Sequence, residues 1–325
     1  MDIYIDIGST NIKWKRSGEE VKMTAFPAPV IEEYPYFEVD AKEIVRIVEM
    51  LIREADRAFF SVQMHGYVLL KDGKSVSNYI SWRDERGKDE TPSFALTKEY
   101  GVDIKPNLPR LSLQTQKVDF DEICTLGSYI VYSLTGKNIT HITDAAPTGF
   151  YNVRRRTREV ARFELPKASY KVKKVGRYGL TDIYTPVGDQ QAAILGAAGK
   201  EFDGYILNLG TAAQMCCISK EFVSGEFESR PYFLGKTLCT VTRLIGGGSI
   251  AKHTDEEIEA RLVEEYGGAL KRLPRSEKLL ATGGVVKYRK ELLCKVLERL
   301  DVAYTFNEAC DALAGLEIIA KGEVE

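Results

Sequence analysis

No stretch of this chain has an apolar run long enough to cross a membrane. The opening residues, Met1-Asp2-Ile3-Tyr4, lack the positive segment and apolar core of a secretory leader. Charge of one sign is also missing. Lys and Arg number 45 against 47 Asp and Glu, a net charge of −2, so no basic field points to nucleic acid or an anionic membrane. The six cysteines, Cys124, Cys216, Cys217, Cys239, Cys294 and Cys310, form no Cys-x-x-Cys pair. That spacing excludes a zinc ribbon and a thioredoxin-type site, and the thiols read as buried and reduced in a cytoplasmic protein. Two phosphate motifs are absent as well. A P-loop needs a glycine five residues before Gly73-Lys74-Ser75 or Gly235-Lys236-Thr237, and Val68 and Arg230 stand there. No Gly-x-Gly-x-x-Gly follows the first strand. Any nucleotide would therefore be held another way.

What is present is an α/β chain of 325 residues, enough for two domains. Residues 2–7 alternate, with Ile3, Ile5 and Ile7 on one face, and a Gly8-Ser9-Thr10 turn leads into a return strand through Arg16. Asp40 reads as the cap of a helix carrying Ile44, Val45, Val48, Leu51 and Ile52. Residues 57–70 read as strand, polar loop and strand, and 121–134 as an amphipathic helix stopped by Gly136. Residues 188–200 are rich in small residues and suit a closely packed helix. The pattern then restarts. Residues 204–217 form a strand that breaks at Gly210-Thr211, as the first breaks at Gly8-Ser9. Thr254 and Glu257 form a capping box for a helix to about Tyr266, 279–288 is strand, glycine turn and helix, and an Ala-rich helix closes the chain. Two α/β halves, each opening on a strand and a glycine–hydroxyl turn, meet near residue 200. Such turns, facing each other, could aim backbone N–H groups at phosphates, with Mg²⁺ offsetting the charge.

The order of segments carries a resemblance. Asp6-Ile7-Gly8-Ser9-Thr10 with Lys13, then Ser61-Val62-Gln63-Met64-His65-Gly66, Trp82-Arg83-Asp84, the Thr143-to-Val153 run, Gly188-Asp189-Gln190, Gly210-Thr211, Gly246 to Gly248 and Gly283-Gly284 succeed one another as in FGGY-type carbohydrate kinases. The chain resembles that family over almost its whole length, in its xylulokinase and sedoheptulokinase branch. The resemblance implies a two-lobed actin-like, hexokinase-like ATPase fold with ribonuclease H-like halves around a central cleft. Residues 1–200 would bind sugar and the first phosphate turn; 201–325, shortened, would bind the nucleotide.

By the same resemblance, Gly8, Ser9 and Thr10 wrap the terminal phosphates of ATP, Asp6 holds Mg²⁺ through water, and Lys13 meets the transferred phosphoryl group. Lysine is a mobile point charge, and glycine lets the backbone approach. Gln63, Met64 and His65 touch the sugar; no Arg-Glu pair of the glycerol-kinase kind is present, which points to a ketose. Trp82 offers an aromatic wall and Asp84 an acid for hydroxyls. Asp189 alone would read as a helix cap; the resemblance makes it the general base and a second neighbour of Mg²⁺, with Gln190 on the sugar hydroxyls. Gly210 and Thr211 form the second phosphate turn, and Gly283 and Gly284 pass under the adenine or ribose, although Val285 and Tyr288 stand where many relatives have small residues. The expected function is ATP- and Mg²⁺-dependent phosphorylation of a sugar hydroxyl by a monomer or homodimer. The alternatives are a sugar-binding regulator of the same fold without catalysis, and a non-sugar ATPase of the actin-like superfamily.

Overall fold

The computed structural model describes residues 1–92, 98–308 and 311–322. Cys310 lies outside them. Of the other cysteines, Cys124, Cys216, Cys217 and Cys239 are buried and Cys294 is half-buried, and all are free thiols.

Alternation builds the first sheet. In β1 (Asp2–Ile7) the three isoleucines enter one core and Tyr4 packs on the opposite side. The turn at 8–10 returns the chain as antiparallel β2 (Asn11–Arg16), and β3 (Lys22–Ala25) continues the meander. Asp40 caps α1 (Ala41–Ile52) by accepting the Lys42 N–H at 2.8 Å, and the helix buries Ile44, Val45, Val48 and Ile52. The chain comes back as β4 (Arg57–Val62), parallel to β1, which sets Ser61 beside Asp6. Residues 63–66 then lead into β5 (Tyr67–Lys71), which joins a second sheet.

The expected helix at 121–134 is corrected at its start. Glu122–Thr125 is β6, antiparallel to β5, and α2 occupies Leu126–Thr135. Thr125 both ends the strand and caps the helix, accepting the Ser128 N–H at 3.0 Å. Ile123 and Cys124 fit a buried strand as well as a helix face, so periodicity could not separate the two. Gly136, at φ 71°, closes the helix as expected. β7 (Thr181–Tyr184) adds to β4 in parallel, and α3 (Asp189–Ala198) leaves the sheet through a short bridge at Val187–Gly188.

The second half repeats the design. β8 (Tyr205–Leu209) and β9 (Ala213–Ser219) form a hairpin around residues 210–212, with β10 (Glu228–Pro231) and β11 (Thr237–Leu244) beyond β9. The Thr254–Glu257 capping box opens α4 (Asp255–Arg272), which continues past Tyr266. β12 (Lys278–Thr282) pairs in parallel with β8 and runs into α5 (Gly284–Tyr288); α6 (Lys290–Glu298) leads to β13 (Ala303–Asn307), parallel to β12. The strand order β7–β4–β1–β2–β3 in the first sheet corresponds to β13–β12–β8–β9–β11 in the second. In both, a hairpin sits at the centre, with parallel strands on the side of its first strand and an antiparallel one on the other.

Each sheet has its own core, and a third core joins them. Tyr4 and Phe59 of the first sheet, Ile206 and Cys216 of the second, and Leu195, Leu313 and Leu316 from helices share it. The last helix, α7 (Ala312–Ala320), packs on α3 and on β1 and β4, so the chain ends against its first half. The two helices touch through small residues: a Cβ at Gly315 would lie 2.0 Å from the Ala192 carbonyl oxygen. That contact predicts a stability test. Gly315→Val should destabilise the protein by about 3 kcal/mol, the upper end of the usual cost of overpacking, in urea unfolding. A midpoint equal to that of the parent would show that α3 and α7 are not in contact.

Candidate active site

The two equivalent hairpins bring their turns to one cleft of about 820 Å³ between the sheets. Asp6, Gly8, Lys13, Gln63, Met64 and His65 line it from the first half, Gly210, Gln214, Gly283 and Gly284 from the second, and Asp189 and Gln190 from the start of α3. Asp6 is the next-to-last residue of β1, with Lys13 opposite it on β2, and its Oδ1 accepts the Ser61 hydroxyl at 2.6 Å. Burial pushes the Asp6 carboxyl above its ordinary range and the Asp311 charge adds to this; the Ser61 hydrogen bond and Lys13 oppose it.

Asp189 is the first residue of α3, with Gly188 in the cap position, so the cap role belongs to its neighbour. A Cβ at Gly188 would lie 2.7 Å from Met64 Sδ and 3.0 Å from the Thr143 carbonyl, which is why the tight turn before the carboxylate needs glycine. The Gly188 N–H donates to Thr143 Oγ1 at 3.0 Å, and that hydroxyl contacts His141 Nδ1 at 2.9 Å. Asp189 Oδ1 accepts only the N–H of Gln190, at 2.7 Å, among the hydrogen bonds of the described residues. Burial first, then the nearby Asp6 charge, raise its carboxyl to about 7, while the Gln190 N–H and Arg230 pull the other way.

The Gln63-to-Gly66 loop is tied to the phosphate turn: Gln63 Nε2 donates to the Gly8 carbonyl at 3.2 Å. Gln63 Oε1 and His65 Nδ1 are buried without a hydrogen-bond partner among the described residues, and His65 sits at φ 67°. Orphan polar atoms and a left-handed non-glycine residue on one cleft-lining loop are what a site awaiting hydroxyls would show. Burial, reinforced by Arg230 and Lys105, lowers the His65 imidazole to about 3, so it is neutral. Trp82 lines the cleft at 41% exposure. Asp84 does not. Both its oxygens are taken by the Arg86 guanidinium at 2.7 Å, one also accepts the Phe37 N–H, and the residue is 1% exposed.

A second pocket, of about 770 Å³, opens from the cleft and shares Gly210 and Gly284 with it; Thr211, Gly247, Gly248, Val285 and Tyr288 line it too. Gly283 starts this wall at φ 102°, where a Cβ would lie 2.6 Å from the Leu209 carbonyl. Gly247 and Gly248 donate to the carbonyls of Gly210 and Thr211 at 2.8 and 3.0 Å. The expected first-turn and second-turn glycines therefore face common space. Ser9 and Thr10, at the tip of the first turn, are outside the lining of either pocket.

Several cleft residues were not foreseen: Lys105, Asn107, Arg230, Arg243 and Asp311. In the sequence Arg230 was notable only for breaking a P-loop spacing. Its signal was weak but present, since Glu228 and Arg230 alternate with small residues on one face of a strand. Among the described residues no group of three or more His, Cys, Asp and Glu side chains is placed to hold a metal, and no helix is long and apolar enough to cross a membrane.

No protein-family model matches the chain, and no curated protein matches its sequence. Its structure, however, matches solved ones along its length. Xylulose kinase from Lactobacillus acidophilus superposes with a TM-score of 0.81 at 17% identity, over 99% of this chain and 89% of that one. Gluconate kinase from the same organism gives 0.81 at 16% identity over the same shares. Plasmodium falciparum glycerol kinase, solved with ADP, gives 0.77 at 11% over 98% and 89%. The chain thus has a two-lobed actin-like ATPase fold. It takes the particular form seen in the FGGY-type carbohydrate kinases.

The raised Asp189 carboxyl has a consequence for stability. The folded chain holds this proton more tightly than the unfolded chain, so the stabilisation is present at low pH and is lost as pH rises from about 4 through about 7. Asp189→Asn should therefore raise the Tm at pH 8, where the parent buries a charge, and leave it nearly unchanged at pH 4. An equal shift at both pH values would mean that the carboxyl titrates normally.

Proposed function

We propose that the protein transfers the γ-phosphoryl group of ATP to a hydroxyl of a sugar, with Asp189 as the general base. The observation that carries this reading is the position of Asp189. It opens a helix at the floor of a cleft whose two walls are equivalent glycine turns. We assign residues 1–200 to sugar and the first phosphate turn, and 201–325 to the nucleotide. The likeness to kinases of xylulose, gluconate and glycerol supports a carbohydrate acceptor. The Gln63-Met64-His65 loop supports a ketose among them.

A sugar hydroxyl is a weak nucleophile at neutral pH, and a carboxylate within hydrogen-bond reach takes its proton as the O–P bond forms. Asp189 is suited to this: it has one short internal hydrogen bond and a carboxyl poised near neutrality. Gln63 Oε1 and His65 Nδ1 would find their missing partners in sugar hydroxyls, and Trp82 would cover an apolar ring or chain face. The backbone at Gly8 and Gly210 would face the phosphates, with Lys13 following the group in transfer. Adenosine would occupy the pocket of Gly247, Gly248, Gly284 and Val285, with the exposed Tyr288 ring at its mouth. Mg²⁺ would fit here as an ion that keeps most of its waters, with Asp6 and Asp189 as its neighbours, because the Asp6 charge disfavours ionisation of Asp189 and, among the described residues, no group of three or more such side chains forms a cage. When bound it would supply positive charge that offsets these acids and the phosphates.

Asp189→Ala should lower kcat by about a thousandfold or more in ADP-release assays, as removal of a base commonly does, while sugar binding persists in calorimetry. Turnover like that of the parent would remove Asp189 from the mechanism. In the parent, kcat/KM should rise with pH through about 7 as the carboxylate forms. A rate that falls over this interval would contradict the assignment.

A further inference from the structure

Where Lys105 and Arg230 line the cleft, two cations pair directly with a single acid, Glu228. Lys105, from the first half, and Arg230, from β10, both pair with Glu228. Arg230 gives its Nε and Nη2 to one Glu228 oxygen at 2.8 and 2.6 Å, and Nη1 to the Gln190 side-chain oxygen. The Lys105, Glu228 and Arg230 side chains are 14%, 2% and 5% exposed. Two cations thus share one buried anion as their direct partner, while the Asp189 carboxyl, held largely by burial above its ordinary range, faces Arg230 without pairing with it. Lys105 and Arg230 line the cleft, whereas Glu228 is behind them.

Donors remain after these bonds are counted. A guanidinium has five N–H groups and an ammonium three. The described residues use three on Arg230 and one on Lys105. The next side chain along, His65, is neutral and keeps an unpartnered Nδ1. An ion pair serving only the fold would be balanced, since a buried unpaired charge is costly. A neutral sugar would cover this cation pair without compensating it. A carboxylate would complete both, accepting from Lys105 Nζ and the outward guanidinium edge in the charge-assisted geometry that makes such contacts strong.

We infer that the acceptor is a sugar acid, whose carboxylate lies against Lys105 and Arg230 while a hydroxyl at its other end meets Asp189. This rests on the reading of the cleft as a sugar site, and narrows it from a neutral ketose to an acidic sugar, with or without the ketone. Lys105 and Arg230 then set specificity. Gln190, bonded to Arg230 and to Gln214, links the start of α3 to the second half at this end of the cleft.

The test compares straight-chain aldonates and keto-aldonates with neutral ketoses and alditols of equal length, and with their terminal phosphates, by calorimetry and by ADP release. Aldonates or keto-aldonates should bind about 10- to 100-fold more tightly than their neutral counterparts, the ratio expected of charged hydrogen bonds to an anion. Lys105→Gln should shrink this ratio towards one, and Arg230 still neutralises Glu228 in that variant. Equal or tighter binding of neutral sugars would overturn the inference and leave the kinase reading standing. So would preference for a terminal phosphate. Tight aldonate binding with no ADP released would uphold the sugar acid as the ligand of Lys105 and Arg230 and overturn its role as a phosphoryl acceptor, and the kinase with it. Absence of binding by every class would overturn both.

Discussion

Two carboxylates of like charge, Asp6 and Asp189, are held near each other where water reaches poorly, and the rest of the site is organised around that fact. Burial raises both carboxyls above their ordinary range, and the Asp6 charge raises Asp189 further. Such a pair is unfavourable in an empty chain and favourable once a cation and a proton-donating hydroxyl arrive. Lys13, Ser61 and Arg230 offset part of the cost, and the remainder leaves Asp189 near neutrality, the useful range for a base at ordinary pH.

The fold produces this proximity by repetition. A hairpin with a parallel strand beside it ends in a glycine turn; two copies of this unit, joined through a shared core, bring two such turns to one cleft. The join has to be close. Glycine and alanine at the crossing of α3 and α7 let the second half lie against the first, which carries the start of α3, and with it Asp189, to the cleft floor. Gly188 serves the same end locally, because any side chain there would strike Met64.

Much of this was legible in the sequence, for local reasons. Alternation in residues 2–7, the Asp40 cap, the Thr254 capping box and the glycine stops all depend on neighbours in the chain, and each appears where it was read. The second hairpin was legible as an echo of the first. The start of α2 was not, because Ile123 and Cys124 satisfy a strand and a helix equally and only pairing with β5 decides between them. Among site residues, most of those carried by short motifs line the cleft or the adjoining pocket, while Ser9 and Thr10 stand outside both and Asp84 is consumed by Arg86, a partner two residues away. Lys105, Asn107 and Arg230 stand in no motif. Arg230 is brought to Lys105 and Asn107 from more than a hundred residues along the chain, and only the tertiary fold reveals the group.

The central claim is that the turns at 8–10 and 210–212 serve one nucleotide from opposite walls. Amide hydrogen exchange with and without Mg·ADP tests it most directly. The account predicts slowed exchange in both turns and in residues 283–288 on addition of the nucleotide, all saturating at one concentration. Protection confined to one half, or two halves saturating independently, would contradict it.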